Sequence, residues 1–143
     1  MISIIIPTLN EERALPATLD CLLPQAGGHE IILVDGGSSD QTLGSARSFP
    51  QVTVICANRG RASQMNAGAE IARGDWLLFL HADTCLPDDG LARIASLPDE
   101  IKTGGFKHRF SGQAPGLRLI SGLHNFRCRC TRVFYGDQAM FIR

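Results

Sequence analysis

Four short aliphatic runs, at residues 2–6, 31–34, 52–56 and 76–80, constrain this chain more than any other feature. Each is followed by a polar break and then by apolar residues three or four apart. The first two, rich in Ile and Val, read as strands buried on both faces, since no polar side alternates with the apolar one, and the other two as further strands. After the first run, Leu15, Leu19, Leu22 and Leu23 recur at helical spacing; Asn10 is placed to cap that helix, and Glu11 and Glu12 suit its positive end. Ser39 or Asp40 caps a second helix running to about Phe49. Residues 61–73 form a third, with Met65, Ala69 and Ala72 inward and Gly74 as its stop. Asp88 or Asp89 starts a fourth, with Leu91, Ile94 and Leu97 inward. Beyond these, residues 106–110 read as a strand, 117–130 as a helix and 139–142 as a last strand. Strand and helix alternating four times predict a mostly parallel α/β sheet with helices on both faces and right-handed crossovers. At 143 residues the chain is one domain.

In such sheets ligands bind beyond the carboxyl ends of the strands. Those ends carry Pro7-Thr8-Leu9-Asn10-Glu11-Glu12, Asp35-Gly36-Gly37-Ser38-Ser39-Asp40, Asn58-Arg59-Gly60-Arg61 and His81-Ala82-Asp83-Thr84. Small polar residues also turn and cap chains, so one such segment says little; four that converge on one crevice say more. The first loop has no glycine, so the G-x-G-x-x-G dinucleotide fingerprint is absent, as are G-x-x-x-x-G-K-[ST], G-x-S-x-G and H-E-x-x-H. Dehydrogenases, P-loop kinases, α/β-hydrolases and zincins are set aside.

Asp35, at a strand end before two glycines, suits hydrogen bonds from a nucleobase or ribose; capping its own turn is the other role open to it. Asp83 follows a fully apolar strand and suits a hard cation that also takes phosphate oxygens. Such an ion neutralises charge on a departing diphosphate. His81 either ligates a transition metal such as Mn²⁺ or orients Asp83. Arg61 either complements a diphosphate at the start of the third helix or is a solvated surface arginine. Asn66, a poor helix former, either faces the crevice or packs with its amide satisfied.

The formal net charge of zero hides a split, with 13 acids and 6 bases in residues 1–100 against 1 acid and 8 bases in residues 101–143. That asymmetry points to an anionic ligand or surface, or to the positive part covering the negative one. The balance argues against bulk nucleic-acid binding. Five cysteines at irregular spacing (Cys21, Cys56, Cys85, Cys128, Cys130), with no export signal, read as reduced thiols in a cytoplasmic protein. Cys128-x-Cys130 lacks the second pair a metal site needs. No apolar run approaches the roughly 20 residues of a membrane span, and membrane contact by the basic stretch with Arg118, Arg127, Arg129 and Arg132 has no support in the sequence.

Three segments together resemble family 2 glycosyltransferases with the GT-A fold: Ser3-Ile4-Ile5-Ile6-Pro7-Thr8-Leu9-Asn10-Glu11-Glu12, Ile32-Leu33-Val34-Asp35-Gly36-Gly37-Ser38-Ser39-Asp40 and Gly74-Asp75-Trp76-Leu77-Leu78-Phe79-Leu80-His81-Ala82-Asp83. Residues 60–69 and 136–141 look like one bacterial branch of that family. The resemblance implies a GT-A-type, Rossmann-like sheet, a UDP- or GDP-sugar donor, an acceptor the sequence does not identify, inversion at the anomeric carbon and a divalent metal, Mn²⁺ or Mg²⁺. It implies that Pro7, Thr8 and Glu11 line the nucleotide pocket and that Asp35 holds the base. Ser38 and Asp40 shape that loop, and Arg61 and Asn66 lie near the base or diphosphate. Asp83 is the metal-binding acid of the family's D-x-D motif. Here the first acid of that motif is His81, which alters the metal site. Residues 1–100 would form the nucleotide-sugar half and 101–143 the start of an incomplete acceptor-side half. Asp137, the one acid after Glu100, either approaches the acceptor as a base or anchors its own turn. The final strand is expected to lack its cover, as in a truncated form or a chain that pairs with a second copy. A binding module with impaired catalysis and a nucleotidyltransferase are the alternative functions; the latter would want a Gly- and Arg/Lys-rich first loop.

Overall fold

In the computed structural model of the chain, the residues described are 1–107, 116, 120–122, 125, 126 and 139–143. The elements run β1 (Ile2–Thr8), α1 (Leu15–Leu22), β2 (Glu30–Asp35), α2 (Thr42–Arg47), β3 (Val52–Cys56), α3 (Arg61–Ile71), β4 (Trp76–Phe79), α4 (Gly90–Ala95), β5 (Thr103–Gly105) and β6 (Met140–Ile142). They form one sheet in the order β3-β2-β1-β4-β6-β5. β1 is parallel to both β2 and β4, and β2 to β3, while β6 runs antiparallel to β4 and β5.

The runs of β1 and β2 are buried on both faces, as their lack of alternation requires, whereas β3, at the sheet edge, is only half-buried or exposed. Ile4, Ile6, Ile31 and Leu33 face one side, where Leu15, Leu19 and Leu22 of α1 and Leu91 and Ile94 of α4 meet them. Ile5, Ile32 and Val34 face the other, against Ala67, Ala69 and Ala72 on and just after α3. Helix α3 comes so close that a Cβ on Gly68 would stand 2.5 Å from Ile5 Cγ2. Its inward stripe is therefore centred on Gln64 and Gly68, not on Met65, which is only half-buried. Small residues here set the distance between helix and sheet, a signal that apolar spacing does not carry.

Other expectations shift for physical reasons. Asn10 does not cap α1; it takes a left-handed φ of 57° in the loop before it, and α1 begins at Leu15 with no side-chain cap. Gly74 is not a helix stop: α3 has already ended at Ile71, and Gly74 lies where a Cβ would be 2.5 Å from the Ser3 backbone nitrogen. A strand forms at Thr103–Gly105, where the Phe141 ring lies over Gly104 so closely that a side chain there would collide with it; of the strand expected at 106–110, Phe106 and Lys107 are not in strand. The Phe106 ring packs edge-on to Phe141 at 6.0 Å, and residues 108–110 lie outside the described set. The last strand is not bare: β6 sits between β4 and β5, and Phe141 packs edge-on to the buried Trp76 at 5.6 Å. Positions 116, 120–122, 125 and 126 are helical; the rest of the 117–130 helix lies outside the described residues. Among the described residues no helix is long and apolar enough to cross a membrane.

Candidate functional site

The sheet changes direction at β1. The chain moves outward through β2 and β3, then returns to place β4 on the other side of β1. In an open parallel sheet that reversal leaves a crevice at the carboxyl ends of the two diverging strands. The loop after β1 (Leu9 to Glu12) and the loop after β4 (His81 to Thr84) flank it.

On the β1–β2 side the loops interlock. Asn10 N–H donates to Ser38 Oγ at 2.9 Å, and that hydroxyl donates to Asp35 Oδ1. Glu11 N–H donates to Thr42 Oγ1 at 2.7 Å, and that hydroxyl donates to Asp40 Oδ1. Glu12 N–H donates to Asp40 Oδ2 at 3.2 Å. In return, Asn10 Oδ1 accepts from Ser39 N–H at 2.9 Å and Glu12 Oε2 from Gln41 N–H at 3.0 Å. Three consecutive N–H groups of the first loop are thus consumed by the second. They cannot cradle an anion as the glycine-rich turn of a dinucleotide fold does.

Asp35 is fully buried. Its Oδ2 accepts from Gly37 and Ser38 N–H, each at 2.8 Å, and its Oδ1 accepts the Ser38 hydroxyl and, at 3.4 Å, that of Thr8. Capping its own turn, the second of the two roles open to it, is what it does in this structure. Gly37 at φ 92° permits that turn at a conformation L side chains rarely adopt. Asp40 binds the Thr42 N–H at 3.0 Å just ahead of α2, but the N-cap position is Gln41 with no side-chain cap, so neither Ser39 nor Asp40 caps that helix as expected. Burial alone would raise its pKa, but bonds from the Thr42 hydroxyl, Thr42 N–H and Glu12 N–H hold it below the ordinary value.

A third group that sequence reasoning missed welds the site to α3. Gln64 is buried and its Nε2 donates to the carbonyls of Thr8 at 2.7 Å and Val34 at 2.8 Å, at the ends of β1 and β2. Its signal was its place four residues before Gly68, on the face where the helix comes closest to the sheet.

The β4 side is sparser. Asp83 is exposed, and Thr84 Oγ1 donates to its Oδ1 at 3.3 Å. His81 is half-buried. Glu11 ties the two sides together electrostatically. Its pKa is raised first by burial, then by the negative charges of Asp83 and Asp40, against the opposing charge of Arg61. So Asp40 and Asp83, from two further loops, and Arg61, at the start of α3, all act on Glu11. Pro7 and Thr8 line the end of β1 beside Asp35. Asn66 is exposed and faces another concavity of about 640 Å³, lined by Cys56, Ala57, Asn58, Ser63, Ala67 and Glu70. Asp137 lies outside the described residues.

The acids around Asp83 fit a divalent cation of few protein ligands. Such a charge would relieve the repulsion from Asp83 and Asp40 that adds to burial in raising Glu11. Among the described residues no three His, Cys, Asp or Glu side chains stand close enough to hold one unaided. Mg²⁺-like ions commonly bind through one or two carboxylates and the oxygens of a bound phosphate.

Comparison with known proteins agrees with this architecture. The family described as Glycosyl transferase family 2 matches residues 3–120. A PGL/p-HBAD biosynthesis glycosyltransferase of Mycobacterium bovis is 44% identical over 108 residues, covering 70% of this chain and 42% of the relative. The chain thus spans about two fifths of that relative's length. A mannosyltransferase from Pyrobaculum calidifontis, solved in complex with GDP-Man and Mn²⁺, superposes with a TM-score of 0.74 at 23% identity, over 99% of this chain and 44% of that one. TarS of S. aureus (residues 1–349), solved with UDP-GlcNAc, superposes with a TM-score of 0.69 at 24% identity, over 79% of this chain and 36% of that one. At these identities the two structures establish the shared fold.

Proposed function

The chain belongs to glycosyl transferase family 2, and from that premise we propose that it binds a nucleoside-diphospho-sugar at the β1/β4 crevice for transfer of the sugar to an acceptor hydroxyl. The observation that carries the reading is the placement of Glu11, Asp40, Arg61 and Asp83 around one reversal of the sheet, beside an interlocked pair of loops whose N–H groups are already used. Residues 1–100 form the donor half, and residues 101–143 begin the acceptor side.

In this reading Pro7 and Thr8 form the floor of the nucleotide pocket, and the Asp35 turn, braced by Ser38, sets its wall. Asp35 reaches a base only by exchanging one of its present bonds, the 3.4 Å contact from Thr8 being the weakest. Arg61 supplies positive charge toward the diphosphate, while Asn66, on the neighbouring concavity, stands outside the pocket. Asp83, with His81 beside it in the same loop, would hold a divalent cation, Mn²⁺ or Mg²⁺, whose charge offsets the negative charge that grows on the departing diphosphate. Asp137 is the candidate in this chain to take the acceptor's proton, a transfer that contributes roughly 10²–10⁴-fold in rate. Attack from the face opposite the diphosphate gives inversion.

Calorimetric titration with UDP and with GDP, each with and without Mn²⁺, tests the proposal. Saturable heat with one diphosphate that depends on Mn²⁺ is the expected result. Absence of heat with both rejects donor binding. Binding without transfer from any donor sugar favours a sugar-nucleotide module with impaired catalysis.

A further inference from the structure

One pair of reactive side chains takes no part in the crevice. Cys85 stands two residues after Asp83, in the segment leaving β4, and Cys21 stands on α1. The Cys85 Sγ lies 3.9 Å from the Ala17 carbonyl oxygen. In an α-helix that carbonyl is bonded by the N–H four residues on, which is Cys21, and a helical side chain leans back over the preceding turn. The two thiols are therefore brought to one spot on the helix surface. Both are free and exposed. The approach is anchored from both sides: Thr18 Oγ1 donates to the Ala82 carbonyl at 2.7 Å, and Leu86 is buried in the core directly after Cys85. Cys56, the remaining described cysteine, sits on β3 at the far edge of the sheet.

We propose that Cys21 and Cys85 are a site of reversible covalent modification, joined as an intrachain disulfide by exchange with a low-molecular-weight disulfide such as oxidised glutathione. One cysteine, losing its proton, attacks a sulfur of the small disulfide and expels one small thiolate. The second cysteine, losing its proton, attacks the sulfur now on the protein and expels the other. The two thiolates take up the two protons, so two protein S–H bonds and one small S–S bond become one protein S–S bond and two small thiols. The bond closes a loop containing β2, α2, β3, α3 and β4, which restricts the unfolded chain. It also ties the segment carrying Asp83 to α1. A consequence for cation and donor binding rests on the function proposed above; the bond itself does not.

The test uses the full chain, incubated with oxidised glutathione, alkylated and mapped by mass spectrometry. The expected result is one peptide pair joined through Cys21 and Cys85, with the loss of two hydrogens, no retained glutathione and full reversal by dithiothreitol. The thermal midpoint of the oxidised form should stand about 5–15 °C above that of the reduced form. Cys21→Ser and Cys85→Ser should each abolish both changes, and Cys56→Ser neither. A stable glutathione adduct on Cys21 or Cys85, a bond mapped to another pair, or an unmoved midpoint would overturn the proposal. None of these readouts requires a donor, so a failure here and a failure of donor binding are told apart.

Discussion

At the ends of β1 and β2, Asp35 and Asp40 each receive at least three hydrogen bonds, from backbone N–H groups and hydroxyls of the same two loops. At the end of β4, Asp83 receives one long bond from its own neighbour and stays exposed. All three acids follow apolar strands in one sheet, yet the first two are committed to shape and the third has acceptors to spare. A carboxylate saturated by donors holds a loop in one geometry. A carboxylate left open on the other side of the same crevice can accept a cation without breaking anything. The crevice thus pairs a preformed wall with a reactive one, which is how a rigid scaffold positions a ligand without losing the group that binds it.

Substitutions should separate the two sides, and the largest effect is expected at Asp83. Asp83→Ala should weaken Mn²⁺-dependent binding of UDP or GDP by more than about a hundredfold, the loss expected of a direct ligand where outer partners alone cost 10–100-fold. Its unfolding free energy should stay within about 0.5 kcal/mol of the parent, as for other exposed positions. Titration calorimetry and urea unfolding on the same sample read both. Unchanged binding in this variant would dissolve the contrast. Asp35→Ala should do the reverse first: with two N–H groups and a hydroxyl left without their acceptor in a buried site, stability should fall by about 2–3 kcal/mol. A loss below about 0.5 kcal/mol would show that the wall is not held by that turn.

Thr42→Val sharpens the same point at smaller scale. Thr42 is buried and its hydroxyl both accepts from Glu11 and donates to Asp40. The isosteric change removes both bonds without altering volume, and should cost about 1–2 kcal/mol in denaturant unfolding.

Much of this contrast was legible in the order of residues. The apolar runs located β1 to β4, and the acids following them located the crevice, because strand ends in a parallel sheet lie together. What escaped were facts set by close approach between distant segments. Gln64 reads as a polar helical residue until Gly68 is seen to let α3 down onto Ile5. Asn10 reads as a helix cap until its left-handed φ turns it toward Ser39. Strand β5 hides in Gly104 and Gly105, which are poor strand formers, the first of which the Phe141 ring requires to be small. Asp35 was read with two roles, and only the count of its donors shows which one it fills in this structure. The meeting of Cys21 with Cys85 depends on how the segment after β4 lies on α1, which no local pattern encodes.

Glu11 is where the two walls meet, and it carries the smallest and most diagnostic effect. Burial, then Asp83 and Asp40, raise its pKa above the ordinary 4.5. As pH rises past that value the unfolded chain releases this proton before the folded one does. The folded state then binds more protons than the unfolded state, and stability falls with pH through that window and levels off above the folded pKa. Glu11→Gln has no proton to lose, so it should match the parent below about pH 4 and exceed it above, by less than about 0.5 kcal/mol because solvent screens a group so largely exposed. Adding Asp83→Ala should shrink the difference, since one of the two charges repelling Glu11 is gone. Mn²⁺ should shrink it too, by supplying the positive charge that Glu11 and Asp83 lack between them. A pH-stability profile of the parent, the two single variants and the double variant measures all of this in one series. If Glu11→Gln gains the same amount whether or not Asp83 is present, the two walls do not share a field, and the crevice is two separate acidic loops.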